Sequence, residues 1–482
     1  MFEPNPNWTA AIAQQIQAPI YVAQIEGLGT DAFSTGPVKS AKPWVERVAI
    51  SAMEGRGQRV DLASGDVTVG SVTVDVLNTD GRIFQLVATE ASGAPLATLA
   101  NRRLDVYAGY RNIIGNDYPR VFRGRITDIV GLKDHTGFRL TAEDVKRGLD
   151  VPIMTGATDD SPVIIEGNPI NVLGAVLLNV FSLSDTDFPL TAITGTPIGA
   201  GLDRATDVAV AQLKDIRDTW FVDVRMRFKW TKDESCSGWV AKNFFQLIGP
   251  AVIDGYGRIG LYPWEPSVAG AVVPTLTDDD VVRVDSWRRR PDLHVNRVRI
   301  RFNWDPSSRV YGDNPLLPDE VVAEDTADQA ATGAVRLLDL TSEGIREDLN
   351  GTAIASVLTH TLLRWRRKPP VEIVVSCPFT KRNLEVGDVA KVTLRNVLDV
   401  KTGTRGITNK LMRVVEITPK YSAGLLSVTL VEVAFLRYGF IPPNSLGDYP
   451  TWTQAQKDRY YAIGRTSDNR VNAGTEEGYA IL

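Results

Sequence analysis

The sequence predicts a mainly β protein with a mixed α+β insertion, and three observations carry that reading. Residues 102–149 alternate apolar and polar positions: Leu104, Val106, Phe122 and Ile126 lie on strand-like runs, and Phe138, Leu140 and Ala142 interleave with Arg139 and Thr141. Val72, Val74 and Val76 alternate with Thr73 and Asp75, and Asn78 to Gly81 follow with turn chemistry. Val298, Ile300 and Phe302 alternate with Arg297, Arg299 and Arg301. A period of two puts one face in a core and the other in water.

The bulk numbers fit this class. A chain of 482 residues exceeds one ordinary core and implies two to four domains. With 43% hydrophobic and 23% charged residues it reads as globular rather than disordered. A net charge of −5 gives no sign of a general nucleic-acid binder. No apolar run approaches the roughly 20 residues of a membrane helix. The first residues, MFEPNPNWTA, do not read as a secretory signal. Cys236 and Cys377 are too distant in sequence to suggest a disulfide framework and read as isolated thiols.

Taken in order, Ile20 to Ile25 reads as an opening strand, 27–43 as a loop rich in small and polar residues, and Trp44 to Ile50 as a second strand. Residues 46–150 read as a barrel or sandwich. The texture changes after Asp150. Asn168-Pro169 offers a side-chain cap and a proline at the first helical position, and Ile170, Leu173 and Leu177 then share a helical face. Asp203 to Trp220 predicts one or two short helices, Val222 to Trp230 a strand, Ser235 to Gly249 a helix, and Gly255 to Trp264 a hairpin. Residues 305–350 are polar and read as loop. Ile354, Val357, Leu358, Leu362 and Trp365 form a helical stripe that ends in Arg364, Arg366, Arg367 and Lys368, cations suited to a helix C-terminus. Strands follow at Val371–Cys377, Asp388–Val397 and Leu425–Val433, and the polar tail keeps Trp452, Tyr460 and Tyr461 as its apolar anchors.

Three passages, in order, resemble the tail hub family of tailed bacteriophages and tail-like particles. They are Asn101 to Asp150 (nRrLdVyaGY, vFrGrItdi, lTAeDvkrgLd), Ser237 to Pro266 (a helix, then GRIGLYPWEP), and Asp278 to Trp304 with LEVGDVAKVTL and VVEITPKYSAGLLSVTLVEV behind it. The resemblance implies two tube-like β-barrel domains, 1–150 and 276–440, the second with one helix, a mixed α+β hub domain at 151–275, and a C-terminal extension at 441–482. It implies a structural, non-enzymatic virion protein: a homotrimer that closes a hexameric tail tube, anchors the tip or spike, and forms part of the DNA ejection conduit. Its implied partners are the tube or distal tail ring, tip, spike or fibre proteins, and the tape measure protein, with DNA only in transit. It would sit at the tail tip or baseplate after assembly in the host cytoplasm. The alternative is a receptor-binding tail-tip adhesin, and a fused cell-wall hydrolase is a weaker third. The pairing of the two barrels comes from the resemblance; no repeat is legible in the residues themselves.

The candidate chemistry is sparse. His135, His294 and His360 lack metal-ligand spacing, so no metal or cofactor is expected, and no catalytic residue is assigned. Asp278 to Asp280 lacks the ligand pattern of a calcium loop and reads as a turn or cap. Glu143 and Asp144 would diverge on a strand. Gly255, Gly257 and Gly260 match G-x-G-x-x-G by letter but lack its strand–helix setting. Trp44, Trp287, Trp304 and Trp365 read as core or interface anchors. The basic face of Arg297, Arg299 and Arg301, with Arg288 to Arg290 nearby, is the candidate inter-subunit contact.

Overall fold

A computed structural model describes residues 20–28, 31–38, 45–62, 67–77, 99, 101–109, 118, 120–132, 137–254, 256–264, 274–312, 319–366, 368–378, 381, 384–399 and 403–432, with short strands at 439–440, 461–462, 470–471 and 476–477. Trp44, the turn at Asn78 to Gly81, His135, Gly255, Trp452 and Tyr460 lie outside these residues.

The first sheet contains β1 (Ile20–Ile25), β2 (Asp31–Ser34), β3 (Val45–Val48), β4 (Ile50–Arg56), β5 (Ser71–Leu77), β6 (Arg103–Gly109), β7 (Arg120–Gly131) and β8 (Gly137–Glu143). Its order is β3-β2-β1-β6-β7-β8-β5-β4. The two edge strands are one bent segment, because β3 and β4 meet at Ala49. The Ala49 amide donates to Ser34 O at 3.1 Å on one side, and its carbonyl accepts from Leu77 N at 2.7 Å on the other. This bend brings the two ends together into a nearly closed, seven-stranded barrel. The period-two positions Val72, Val74, Val76, Leu104, Val106, Ile126, Leu140 and Ala142 are buried as expected. Strand β2 was hidden within the predicted loop.

The central unit folds around β9 (Val163–Gly167), paired antiparallel with β10 (Ala192–Thr194) and β11 (Met226–Trp230). Helix α1 (Pro169–Leu178) starts where the sequence predicts. Asn168 Oδ1 accepts from Ile170 N at 3.0 Å, and every helical residue is buried. Helix α2 (Val210–Trp220) packs on α1, and α3 (Cys236–Val240) runs into a π turn over Ala241–Phe245. Gly249 follows this run, and a Cβ there would meet Tyr262 O at 1.9 Å, so only glycine fits against the hairpin Ala251–Ile253/Ile259–Leu261.

The remaining chain forms β12 (Thr275–Thr277), β13 (Arg283–Arg289), β14 (Arg297–Arg301), β15 (Glu320–Glu324), helix α4 (Thr326–Thr332), β16 (Leu337–Thr341), helix α5 (Gly351–Arg366), β17 (Val371–Pro378), β18 (Val389–Asp399), β19 (Thr404–Lys420) and β20 (Leu425–Glu432). Six of these strands make the second sheet, in the order β12-β18-β19-β20-β17-β13. Strands β12 and β13 are again one bent segment at both edges, turning at Asp278–Asp280. Thr277 N and Oγ1 donate to Asp280 Oδ2 at 2.9 and 3.0 Å, so the acidic cluster builds a turn.

Residues 291–366 do not join the second barrel's core. Strand β14 lies between antiparallel β15 and parallel β16, and Val298, Ile300, Phe302, Ala355 and Leu362 enter the apolar cluster of the central unit. The stretch read as loop, 305–350, therefore holds β15, α4 and β16, together with a short strand at Val310–Tyr311 and a 3-10 turn at Glu347–Leu349. Its strands bury few side chains, which left little alternation to read. In α5 the buried face is Ala355, Thr359, Leu362 and Leu363, while Val357 is 62% exposed and off the predicted stripe.

Candidate functional site

The two barrels share one strand order. Each runs bent strand, partner strand, then a three-strand meander: β3/β4, β5, β6, β7, β8 in the first and β12/β13, β17, β18, β19, β20 in the second. Around each barrel the order is bent strand, first, second and third meander strands, then partner; the first barrel inserts the β1–β2 hairpin before β6. Relative directions agree as well, since β4–β5 and β13–β17 are antiparallel and so are both meanders. A bulge interrupts the middle meander strand at the same place. Arg125 and Ile126 pair with Glu143 and Ala142 before a skipped residue and Asp128; Arg413 and Val414 pair with Val431 and Leu430 before a skipped residue and Glu416. The match extends to the letters, Arg-Ile-Thr-Asp-Ile at 125–129 and Arg-Val-Val-Glu-Ile at 413–417. That short repeat is a sequence signal of the pairing that strand alternation alone does not reveal.

One barrel docks on the other through this repeated strand. The chain leaving β4 crosses β19: Val60 N donates to Val415 O at 2.8 Å, and Arg59 Nε lies 3.8 Å from Glu416 Oε2. Gly57 sits so close that a Cβ would stand 1.6 Å from Ile417 O. Tyr21 Oη donates to Tyr421 O at 3.3 Å, with the rings edge-on at 4.7 Å. A single apolar cluster runs through both barrels.

A cavity of about 160 Å³ lies where both barrels meet the central unit, lined among others by Gln58, Arg123, Asp144, Asp254, Glu385 and Tyr421. Its charged groups are engaged by their own neighbours. Arg123 forks Asp105 at 2.6 and 3.0 Å, and Asp254 accepts from Arg258 at 2.9 and 2.7 Å. Asp144 leaves the strand to cap a short 3-10 turn, parting from Glu143. It accepts from Gly70 N at 2.6 Å, Gln58 Nε2 at 2.9 Å and Lys146 N at 3.0 Å. Burial pushes its carboxyl up to about 6, with these donors opposing the rise.

Two buried arginines close the junction. Arg413, 1% exposed, donates to Pro263 O at 2.8 Å, and burial pushes its guanidinium down to about 10. Arg366, at the end of α5, stacks on the rings of Trp264 and Trp365 at 5.5 and 5.3 Å and donates to Leu62 O. This cation was read as serving its own helix terminus; it bridges to the first barrel instead.

The predicted arginine face is assembled, but each cation has a partner within the chain. Arg299 forks Asp339 at 3.1 and 2.6 Å and lies 3.5 Å from Glu320. Arg301 reaches Asp339 at 3.0 Å, and Arg297 lies 3.7 Å from Glu324. Burial would raise the Asp339 carboxyl, yet the Arg299 hydrogen bond and both guanidinium charges hold it below its ordinary value. The surface is an alternating lattice of charge rather than a basic patch. Arg288 and Arg290 both grip the buried Glu372 at 2.5 Å.

The other candidates sit among local partners or in the core. His294 Nε2 lies 2.9 Å from Asp328, and His360 Nδ1 lies 2.8 Å from Ser356 O. Among the described residues no group of three or more His, Cys, Asp or Glu converges on a metal position. The thiols of Cys236 and Cys377 are buried, which pushes both up to about 12. Gly257 turns the 251–261 hairpin and Gly260 lies on its second strand, so the glycine run belongs to a hairpin. No described helix is long and apolar enough to cross a membrane.

These features define a mainly β protein built from two like barrels clamped by a mixed insertion. No family model matches the chain, and no curated protein matches it. Among solved structures it is similar to the 43 kDa tail protein of prophage MuSo2 from Shewanella oneidensis, at 12% identity and TM-score 0.40, covering 86% of this chain and 96% of that one. It is similar to prophage tail protein gp18 from Listeria monocytogenes EGD-e, at 10% identity and TM-score 0.40, covering 86% and 94%. It is also similar to the tail protein from Neisseria meningitidis MC58, at 11% identity and TM-score 0.41, covering 86% and 97%.

Proposed function

We propose that the chain is a structural virion protein, a trimeric hub that closes a hexameric tail tube and anchors the tip or spike. The observation that carries this reading is the common strand order and common bulge of the two barrels. One chain offers two like units, so three chains offer six. A threefold ring can then meet a sixfold one with matching surfaces. In this reading residues 1–150 and 276–440 supply the tube-like units, with 291–366 packed against the hub domain, 151–275 forms the outer hub, and 441–482 is a C-terminal extension. The neighbours are the tube or distal ring above and tip, spike or fibre proteins below. The tape measure protein and DNA occupy the lumen in transit.

Arg297, Arg299 and Arg301, with their carboxylates, are part of this proposal as a contact with a neighbouring protein. Exchanging Arg299 and Arg301 for Glu should stop particle assembly while circular dichroism stays unchanged. Wild-type particle yield from that variant removes these residues from the interface.

The whole reading is tested by light-scattering mass and by the chain's position in an intact particle. The expected results are three chain masses and a threefold ring coaxial with the tail. A single copy at the tail periphery overturns the hub and favours an adhesin.

A further inference from the structure

We propose that the outer surface of β7 at Thr127–Gly131 is the docking site for the second barrel of another copy of this chain, through Asp128 and Val130 on one side and Arg289 on the other. The inference rests on the ring reading above and assigns the surface that would make it.

The argument starts from the shared bulge. Position for position, Asp128 answers to Glu416, Ile129 to Ile417 and Val130 to Thr418. In the second barrel this stretch is covered by the chain leaving the first barrel's bent strand, with Arg59 near Glu416 and Gly57 over Ile417. In the first barrel the matching stretch is open: Thr127, Asp128, Val130 and Gly131 are exposed, and Val130 keeps 49% of its surface. An acid thus stands at the same place in both barrels, paired across barrels in one and facing solvent in the other.

The matching donor surface is also open. Ser71 and Glu372 stand opposite Glu143 and Val431, the partners of Arg125 and Arg413. Arg56 pairs with Ser71 and Arg288 with Glu372, which makes Arg289 the counterpart of Gly57. Arg289, at the end of this strand, is exposed. Repeating the internal contact between copies brings Arg289 of one chain onto Asp128 and Val130 of the next. An arginine in place of a glycine keeps the two backbones further apart, so the long cation spans the gap where Gly57 allows direct contact. Such a head-to-tail contact uses two different surfaces and gives a ring when its rotation closes, as the threefold reading requires.

The test pairs charge reversal with cross-linking. Asp128→Arg and Arg289→Asp should each weaken self-association at least tenfold by sedimentation, and the double variant should recover most of it. Val130→Cys with Arg289→Cys should give disulfide-linked multimers on a non-reducing gel. Wild-type chain that associates, yet ignores both reversals and forms no cross-link, overturns this surface and leaves the ring intact. Wild-type chain that stays monomeric at every concentration overturns both. Unchanged melting temperatures of the single variants separate lost docking from lost folding.

Discussion

Arg125 and Arg413 hold the same position in the two barrels, one pair before the bulge of the middle meander strand, and both reach into the central unit. Arg125 lies 3.7 Å from Asp207, while Arg413 is sealed against Pro263 O at 2.8 Å and Trp264 O at 3.3 Å. Equal positions therefore carry unequal energies, set by solvent.

Removing Arg413 should cost far more than removing Arg125. Arg413→Ala leaves two carbonyls without their donor and opens a cavity at the junction, a loss of about 2–4 kcal/mol. Arg125 is more than half exposed, so Arg125→Ala should cost under about 1 kcal/mol. Urea unfolding of both variants checks the ratio. Comparable losses would mean that burial does not set the worth of this latch.

The contact between barrels allows no side chain at Gly57. Gly57→Ala places a methyl carbon against Ile417 O, and the barrels must separate to relieve it. We expect a loss of about 2 kcal/mol or more, with faster proteolysis between the barrels. A conservative probe of the same junction is Tyr21→Phe, which removes the hydroxyl bonded to Tyr421 O and should cost about 1 kcal/mol.

The fold was legible where one strand buries one face. The valines of β5 show their period because the neighbours of this strand cover a single side, whereas Ile20–Ile25 is legible as an apolar run and is buried on both faces. Strand β2 was illegible because it is four residues long and sits among turn residues. The barrel closures were illegible for a different reason: Ala49 bridges Ser34 and Leu77, a pairing set by the whole sheet and by no local pattern. The arginine face was read correctly as a face. Its neutralisation was not, because Asp339 arrives from β16, about forty positions on, in a stretch that looked like loop.

Asp144 gives the junction a pH dependence with a definite sign. Its folded value, raised by burial to about 6, lies above the ordinary value of 3.8. Between those values the folded chain holds a proton at Asp144 that the unfolded chain has released, so this group's contribution to stability should fall as pH rises from about 4 to about 6 and then level off, alongside the carboxyls of Asp388 and Glu234, which burial also raises. The full shift corresponds to at most about 3 kcal/mol, and the three donors to the ionised carboxylate argue for less. Asp144→Asn should flatten this part of the curve. It should also lower stability at pH 5, because its amide turns a donor toward Gly70 N or Lys146 N. Melting curves of both proteins from pH 4 to 8 decide the matter: a wild-type curve that rises steadily through this window would show that the carboxylate's hydrogen bonds outweigh its burial.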